Sequence, residues 1–257
     1  MSNSVTNLNR EFYNKRYVSK SVFISILHSF ISFDQQSKSK RNFKHIKFIL
    51  KKMKQKKVSF LDYGFGHGSL LLKMPRNIDV FGCEISEEAV SNLSRISKLI
   101  KRDFNVATTE NFNNIFHGYK FDIINCSHVL EHVEDDVEII EGFKNILNNQ
   151  GKLIINLPIN EVWKDPKHVR EYNKEIASKL LTDSSFRIDG VFESDRLTGF
   201  ILTYEQTKDT NFTLRFLLRC VRFFFGIMPQ FFSDIMDKIL PAKFKNQQLI
   251  IIATKNE

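Results

Sequence analysis

Three glycines at alternate positions, Gly64, Gly66 and Gly68, follow directly on the apolar run Val58–Asp62. Glycine tolerates positive φ and carries no Cβ, so such a turn can be tight and a ligand can approach its backbone. A strand entering the turn and a helix leaving it would place free N–H groups at the mouth of a sheet. Open α/β sheets bind their ligands there. The rest of the chain supports that geometry. Val80–Glu84, Phe121–Ser127 and Leu153–Pro158 read as buried strands, and Glu87–Ser97, Asp136–Leu147 and Asn173–Leu181 as helices. A weaker strand is expected near Phe104–Val106 and a last one at Leu249–Ala253. Gly151, just past Asn148–Gln150, suits a helix C-terminal stop. Strands alternating with helices predict a doubly wound α/β fold, a mostly parallel sheet with helices on both faces.

The spacing separates ligand classes. A dinucleotide turn requires G-x-G-x-x-G, and counting from Gly64 the sixth position is Ser69. A phosphate loop requires Gly-Lys-Ser/Thr, which is absent. What stands here is Asp62-x-Gly-x-Gly-x-Gly, with Glu84 at the tip of the second strand. A carboxylate at that tip is placed to accept hydrogen bonds from two ribose hydroxyls. A ligand with a ribose and a positive centre, and no phosphates, fits two carboxylates better than a dinucleotide does.

These residues resemble motif I of the class I S-adenosylmethionine-dependent methyltransferases. Asp62, Gly64, Gly66 and Gly68 fall on its acidic and glycine positions, and Glu84 on its ribose-binding acid. The stretch from Phe121 through Ser127 and Leu130-Glu131-His132 is similar to the fourth-strand segment of the small-molecule branch. That branch includes ubiquinone-pathway O-methyltransferases and enzymes of glycan and natural-product clusters. Gly151–Pro158 looks like the fifth strand, and Asp165-Pro166-Lys167-His168 followed by Phe186 like the approach to the sixth. The resemblance implies a seven-stranded Rossmann-like sheet whose last strand is antiparallel. It also implies S-adenosylmethionine as cofactor, with Ser127 at the site and Glu110 as the one acid able to meet the adenine.

Methyl transfer from a sulfonium requires an acceptor held in line, at roughly 3–3.5 Å, with water excluded. A hydroxyl acceptor benefits from a base near the working pH, for which histidine is suited. His132 and His168 lie where the family's loops close over the site. His168 is expected to be the base, with Asp165 as its orienting carboxylate. His128-x-x-Glu131-His132 also offers metal-ligand types, with His168 able to complete the set. The segment is expected to work without a metal.

Charge and composition bound the partners. Residues 1–57 hold 14 Lys+Arg against Glu11 and Asp34, so this arm makes the chain basic. Nucleic acid would be one partner for such an arm, but it has no aromatic–basic stacking pattern. Within it, Ser21–Phe33 has the period of an amphipathic helix, Asp34–Asn42 interrupts, and Phe43, Ile46, Leu50 and Met53 mark a second helix. The two are expected to cap the site. Scattered Cys83, Cys126 and Cys220 fit a reducing compartment. Apolar stretches run about a dozen residues, short of the roughly 20 that span a bilayer. No secretory signal is visible, so a cytoplasmic protein is expected.

Four zones follow: a basic helical cap (1–57), a methyltransferase core (58–204), a Phe-rich helical insert (205–246) and a closing strand (247–257). In the insert, Arg215, Arg219 and Arg222 share one helix face beside Phe216 and Phe223–Phe225. A basic face beside a Phe-rich one suits a lid over the acceptor, or peripheral contact of segment 211–232 with the inner face of a membrane. The reading is a methyltransferase for a small-molecule or saccharide hydroxyl. An RNA methyltransferase, or a module that binds the cofactor without catalysis, are the alternatives.

Overall fold

Short runs of apolar side chains, buried on both faces, build the central sheet. The structure, a computed structural model, describes residues 2–17, 33–53, 57–162, 164–205 and 211–256. Strands β1 (Val58–Tyr63), β2 (Ile78–Glu84), β3 (Asn105–Thr108), β4 (Phe121–Ser127), β5 (Leu147–Pro158), β6 (Phe186–Ser194) and β7 (Gln248–Lys255) form one sheet in the order β3-β2-β1-β4-β5-β7-β6. The β1, β2, β3, β4 and β5 pairings are parallel, and β7 is antiparallel to both β5 and β6. Along β1, Phe60 packs on one face and Leu61 on the other. Ile123 and Ile124, and Ile250 and Ile251, divide in the same way. A strand buried on both faces explains why these runs are continuously apolar. Each such side chain contributes about 1.5–3 kcal/mol.

The flanking helices are α1 (Ser2–Tyr17), α2 (Phe33–Lys52), α3 (Glu87–Ile100), the single turn α4 (Phe112–Ile115), α5 (Asp136–Ile146), α6 (Lys174–Asp183), α7 (Arg196–Glu205), α8 (Phe212–Ile227) and α9 (Gln230–Ile239). Short polar side chains start several of them. Ser86 caps α3, Asp135 caps α5 and Asn173 caps α6, each accepting from a backbone N–H three residues on. Pro229 separates α8 from α9, which the sequence shows as one Phe-rich segment.

Several local expectations need correction. Asp34–Asn42 does not interrupt a helix; it is the first half of α2. Gln36, Ser37, Ser39, Arg41 and Asn42 are buried there, and polar partners await them. Gln36 accepts from Lys73 Nζ (2.9 Å), Asn42 accepts from Asn156 (3.0 Å), and Arg41 meets Asp195 (3.0 Å) and Ser194 (3.0 Å). The proposed helix at Ser21–Phe33 lies outside the described residues, apart from Phe33 itself. Helix α1 was not foreseen. Gly151 is not a helix stop: α5 ends at Ile146, and Gly151 sits within β5 at a register shift. A Cβ there would lie 2.8 Å from the Asn148 carbonyl oxygen. The helix expected after the glycine turn is a single 3-10 turn, Leu71–Lys73. Met74 is extended before Pro75, because the proline ring disfavours the helical conformation for the residue preceding it.

Candidate active site

The C-terminal ends of β1, β2 and β4 open into a cavity of about 1100 Å³. Gly64 and Gly66 leave β1 with φ of +81° and +58°. A Cβ on Gly64 would lie 2.3 Å from Val129 Cγ2, so the fourth-strand loop occupies the space that a side chain would need. Gly66 turns its N–H onto Glu84 Oε2 (2.7 Å), and Ile85 donates to Oε1 (2.8 Å). The loop N–H groups therefore orient the carboxylate that faces the cavity. Gly68 has φ +74° and lies behind the lining, against Leu93.

Asp62 is buried at the base of the turn and accepts from Asn125 Nδ2 (2.7 Å). Burial pushes its carboxyl up to about 7; the Asn125 bond opposes this and nearby Glu84 adds to it. Burial also raises Glu84, against the backbone donors that hold its ionised form. Asn125 Oδ1 is buried without a hydrogen-bond partner although Asn125 lines the cavity. Ser127 lines it as well, at the tip of β4. Glu110 stands outside the lining, 56% exposed and bound to Arg10 (2.6 Å), whereas its neighbour Thr109 faces inward. The adenine-side acid is therefore not found at Glu110. The third strand ends at Thr108, and Arg10 of α1 holds the acid away.

Helix α1 closes the opposite side with Tyr13, Arg16 and Tyr17. Tyr17 packs edge-on to His67 of the glycine turn, with centroids 4.7 Å apart. Its carbonyl accepts from Asn92 (2.8 Å), and Asn14 accepts from Ser86 (2.7 Å), which clamps α1 to α3. Burial pushes Tyr13 up to about 12. The Phe12, Tyr13 and Tyr17 spacing in an otherwise Lys- and Asn-rich arm is the signal that could have revealed this helix.

The histidines gather at the same cavity. His132 and His168 meet with ring centroids 4.8 Å apart, and Tyr13 Oη lies 3.4 Å from His132 Nε2. The carboxylate that holds His168 is Glu161, whose Oε2 is 2.9 Å from Nδ1. Asp165 does not orient it, which corrects the sequence reading. Its short carboxylate accepts from the Lys167 N–H (3.0 Å) and its carbonyl from the His168 N–H (2.9 Å), so it shapes the turn instead. With Nδ1–H directed at Glu161, Nε2 is the acceptor nitrogen of His168. Burial lowers His132 and His128 from the ordinary imidazole range. His128 contacts Glu131 (3.1 Å) and Gln248 (2.7 Å). Glu131, His132 and His168 present ligand atoms within 4.8 Å of one another.

Comparison with known proteins agrees with this geometry. A methyltransferase domain family model matches residues 54–209, over half of the chain. The ubiquinone biosynthesis O-methyltransferase of Actinobacillus pleuropneumoniae serotype 5b is 33% identical over 102 residues, which is 37% of this chain. The serotype 7 protein is 32% identical over a stretch of the same length. Each match spans 44% of the relative, so the chain matches less than half the length of these curated proteins. Among solved structures, magnesium protoporphyrin IX methyltransferase from Synechocystis with bound SAH superimposes at a TM-score of 0.60. It is 14% identical, over 97% of this chain and 99% of that one. The [4+2]-cyclase SpnF gives 0.57 at 15% identity, over 82% and 80% of the two chains. The chain belongs to the methyltransferase domain family, with the fold of the class I S-adenosylmethionine-dependent methyltransferases.

The residues present fit that family's cofactor. Glu84 lines the cavity with its carboxylate held by loop N–H groups, and the orphaned Asn125 Oδ1 offers a further acceptor there.

Proposed function

We propose that this protein moves a methyl group from S-adenosylmethionine to a hydroxyl oxygen of a small-molecule or saccharide acceptor. One observation carries the reading: the Glu161–His168 pair and the Glu84–Gly66 turn face a single cavity. The cofactor supplies an activated methyl on a sulfonium. Asp62, Glu84, Asn125 and Ser127 bind and orient it. His168 Nε2 takes the acceptor proton while Glu161 stabilises the imidazolium that forms. Tyr13 and Tyr17 exclude water. Lys38, Asn42, Gln247 and Gln248 add polar walls suited to an acceptor with several hydroxyls.

The basic arm supports this reading over an RNA substrate. Lys40 donates to the Gly226 and Met228 carbonyls, Arg41 is buried on Asp195, and Lys44 meets Asp234. Lys40 and Lys44 hold α2 to the insert, and Arg41 holds it to the turn after β6. A non-catalytic module would need neither a base nor its carboxylate partner.

Mass-shift screening of acceptors with labelled cofactor is the test. His168→Ala is expected to lower kcat by about 10²–10⁴ with cofactor affinity unchanged. Transfer at the full rate without His168 would reject the base.

A second reading rests on Glu131, His132 and His168 converging within 4.8 Å. A divalent cation there would polarise the acceptor oxygen in place of a general base. Loss of activity on chelation, restored by the metal, would favour it.

A further inference from the structure

Helices α8 and α9 carry apolar side chains that stay exposed among the described residues. At 100° per residue, α8 has two apolar faces. Leu218, Val221 and Phe225 turn inward to Leu197 and Ile201 of α7. On the opposite side Phe212, Phe216 and Phe223 are exposed, Phe212 to 81%, and Leu217 and Phe224 are exposed on one flank. Phe231, Phe232 and Ile239 of α9 add to this exposed surface. On α8, Phe212, Phe216 and Phe223 share one exposed face by helical spacing, and an exposed apolar face of this kind marks an interaction site.

Charge selects the partner. Arg215 and Arg219 run along one edge of the outward face, both exposed, and α8 has no acidic residue. The acids of α9 are engaged: Asp234 with Lys44, and Asp237 with the N–H groups of Asp195 and Leu197. A second copy of these helices would thus bring no free carboxylate to Arg215 or Arg219. An apolar layer beneath an anionic one satisfies both features, with Phe rings at the acyl boundary and Arg on headgroups. The same helices reach the active site. Arg222 of α8, 3.0 Å from Glu205, lines the cavity together with Thr198 and Leu202 of α7.

We propose that α8 and α9 dock on an anionic bilayer and present the cavity to a lipid-anchored acceptor. The second half rests on the methyl-transfer reading above. Flotation of the full chain with phosphatidylcholine vesicles, with and without phosphatidylglycerol, tests the docking. The chain is expected to float with the anionic vesicles and to be released by salt. Arg215→Glu/Arg219→Glu and Phe216→Ser/Phe223→Ser are each expected to weaken flotation about tenfold or more. Their sites are exposed and outside the cavity lining, so melting and cofactor titration should match the unaltered chain. No flotation on anionic vesicles, or flotation that survives both double variants, would overturn the docking. So would a dimer lost in Phe216→Ser/Phe223→Ser without vesicle binding, which would assign the face to a second copy. Cofactor heat without flotation defeats the docking alone, and flotation without cofactor heat defeats the methyl-transfer reading alone. For the acceptor, labelled methyl should enter the lipid phase of a membrane extract. Label confined to the aqueous phase would overturn a lipid-anchored acceptor.

Discussion

The glycine turn and the helical roof face the same cavity but are built by opposite means. The turn is made of backbone. Gly64, Gly66 and Glu84 lie within 21 residues of chain, and their geometry follows from φ values and N–H groups. The roof is made of side chains brought from far apart. Arg41 of α2 reaches Asp195 beyond β6, and Lys40 reaches the end of α8. A backbone site tolerates changes of scaffold and keeps its ligand. A side-chain roof can be rebuilt to admit different acceptors, and fold neighbours as different as a porphyrin methyltransferase and a cyclase share the sheet beneath.

The comparison can be broken at either end. The largest effect is expected at Arg41→Ala. Both members of the Arg41–Asp195 pair are almost fully buried, so the variant strands a carboxylate. Unfolding by urea should show a loss of about 3–5 kcal/mol. A loss below 1 kcal/mol would mean that the roof is not tied down by this pair.

A smaller effect should come from Asp62, on the turn side. Its carboxyl is pushed up to about 7, so the fold favours the protonated form. The stability this group contributes is thus present at acid pH and lost as pH rises from about 4 through 7. A cationic ligand prefers the ionised form. Cofactor affinity should therefore rise about tenfold between pH 6 and pH 8, with proton release on binding. Asp62→Asn should flatten that dependence, and an unchanged slope in the variant would remove Asp62 from the cofactor site.

The two regions also differed in how far sequence revealed them. Strands β1, β2 and β4 and the glycine turn were legible because short continuous apolar runs and turn chemistry are local signals. The first half of α2 was not, because Gln36, Ser37, Arg41 and Asn42 are polar and buried. Helical periodicity is read from apolar residues, and here polar partners replaced them. Glu161 was missed for Asp165 because the nearer acid bonds its own turn, while the more distant one reaches the ring across the loop. Pro75 was overlooked where it cut short the helix after the turn.

The most direct test is calorimetric titration of the chain with S-adenosylmethionine, beside Gly66→Val and Glu84→Ala. Saturable one-site binding is expected, weakened about tenfold to a hundredfold in Glu84→Ala as charge-assisted bonds are lost. It should be abolished in Gly66→Val, where a β-branched side chain meets φ +58°. No binding by the unaltered chain, or equal affinity in both variants, would contradict the assignment of this turn as the cofactor seat.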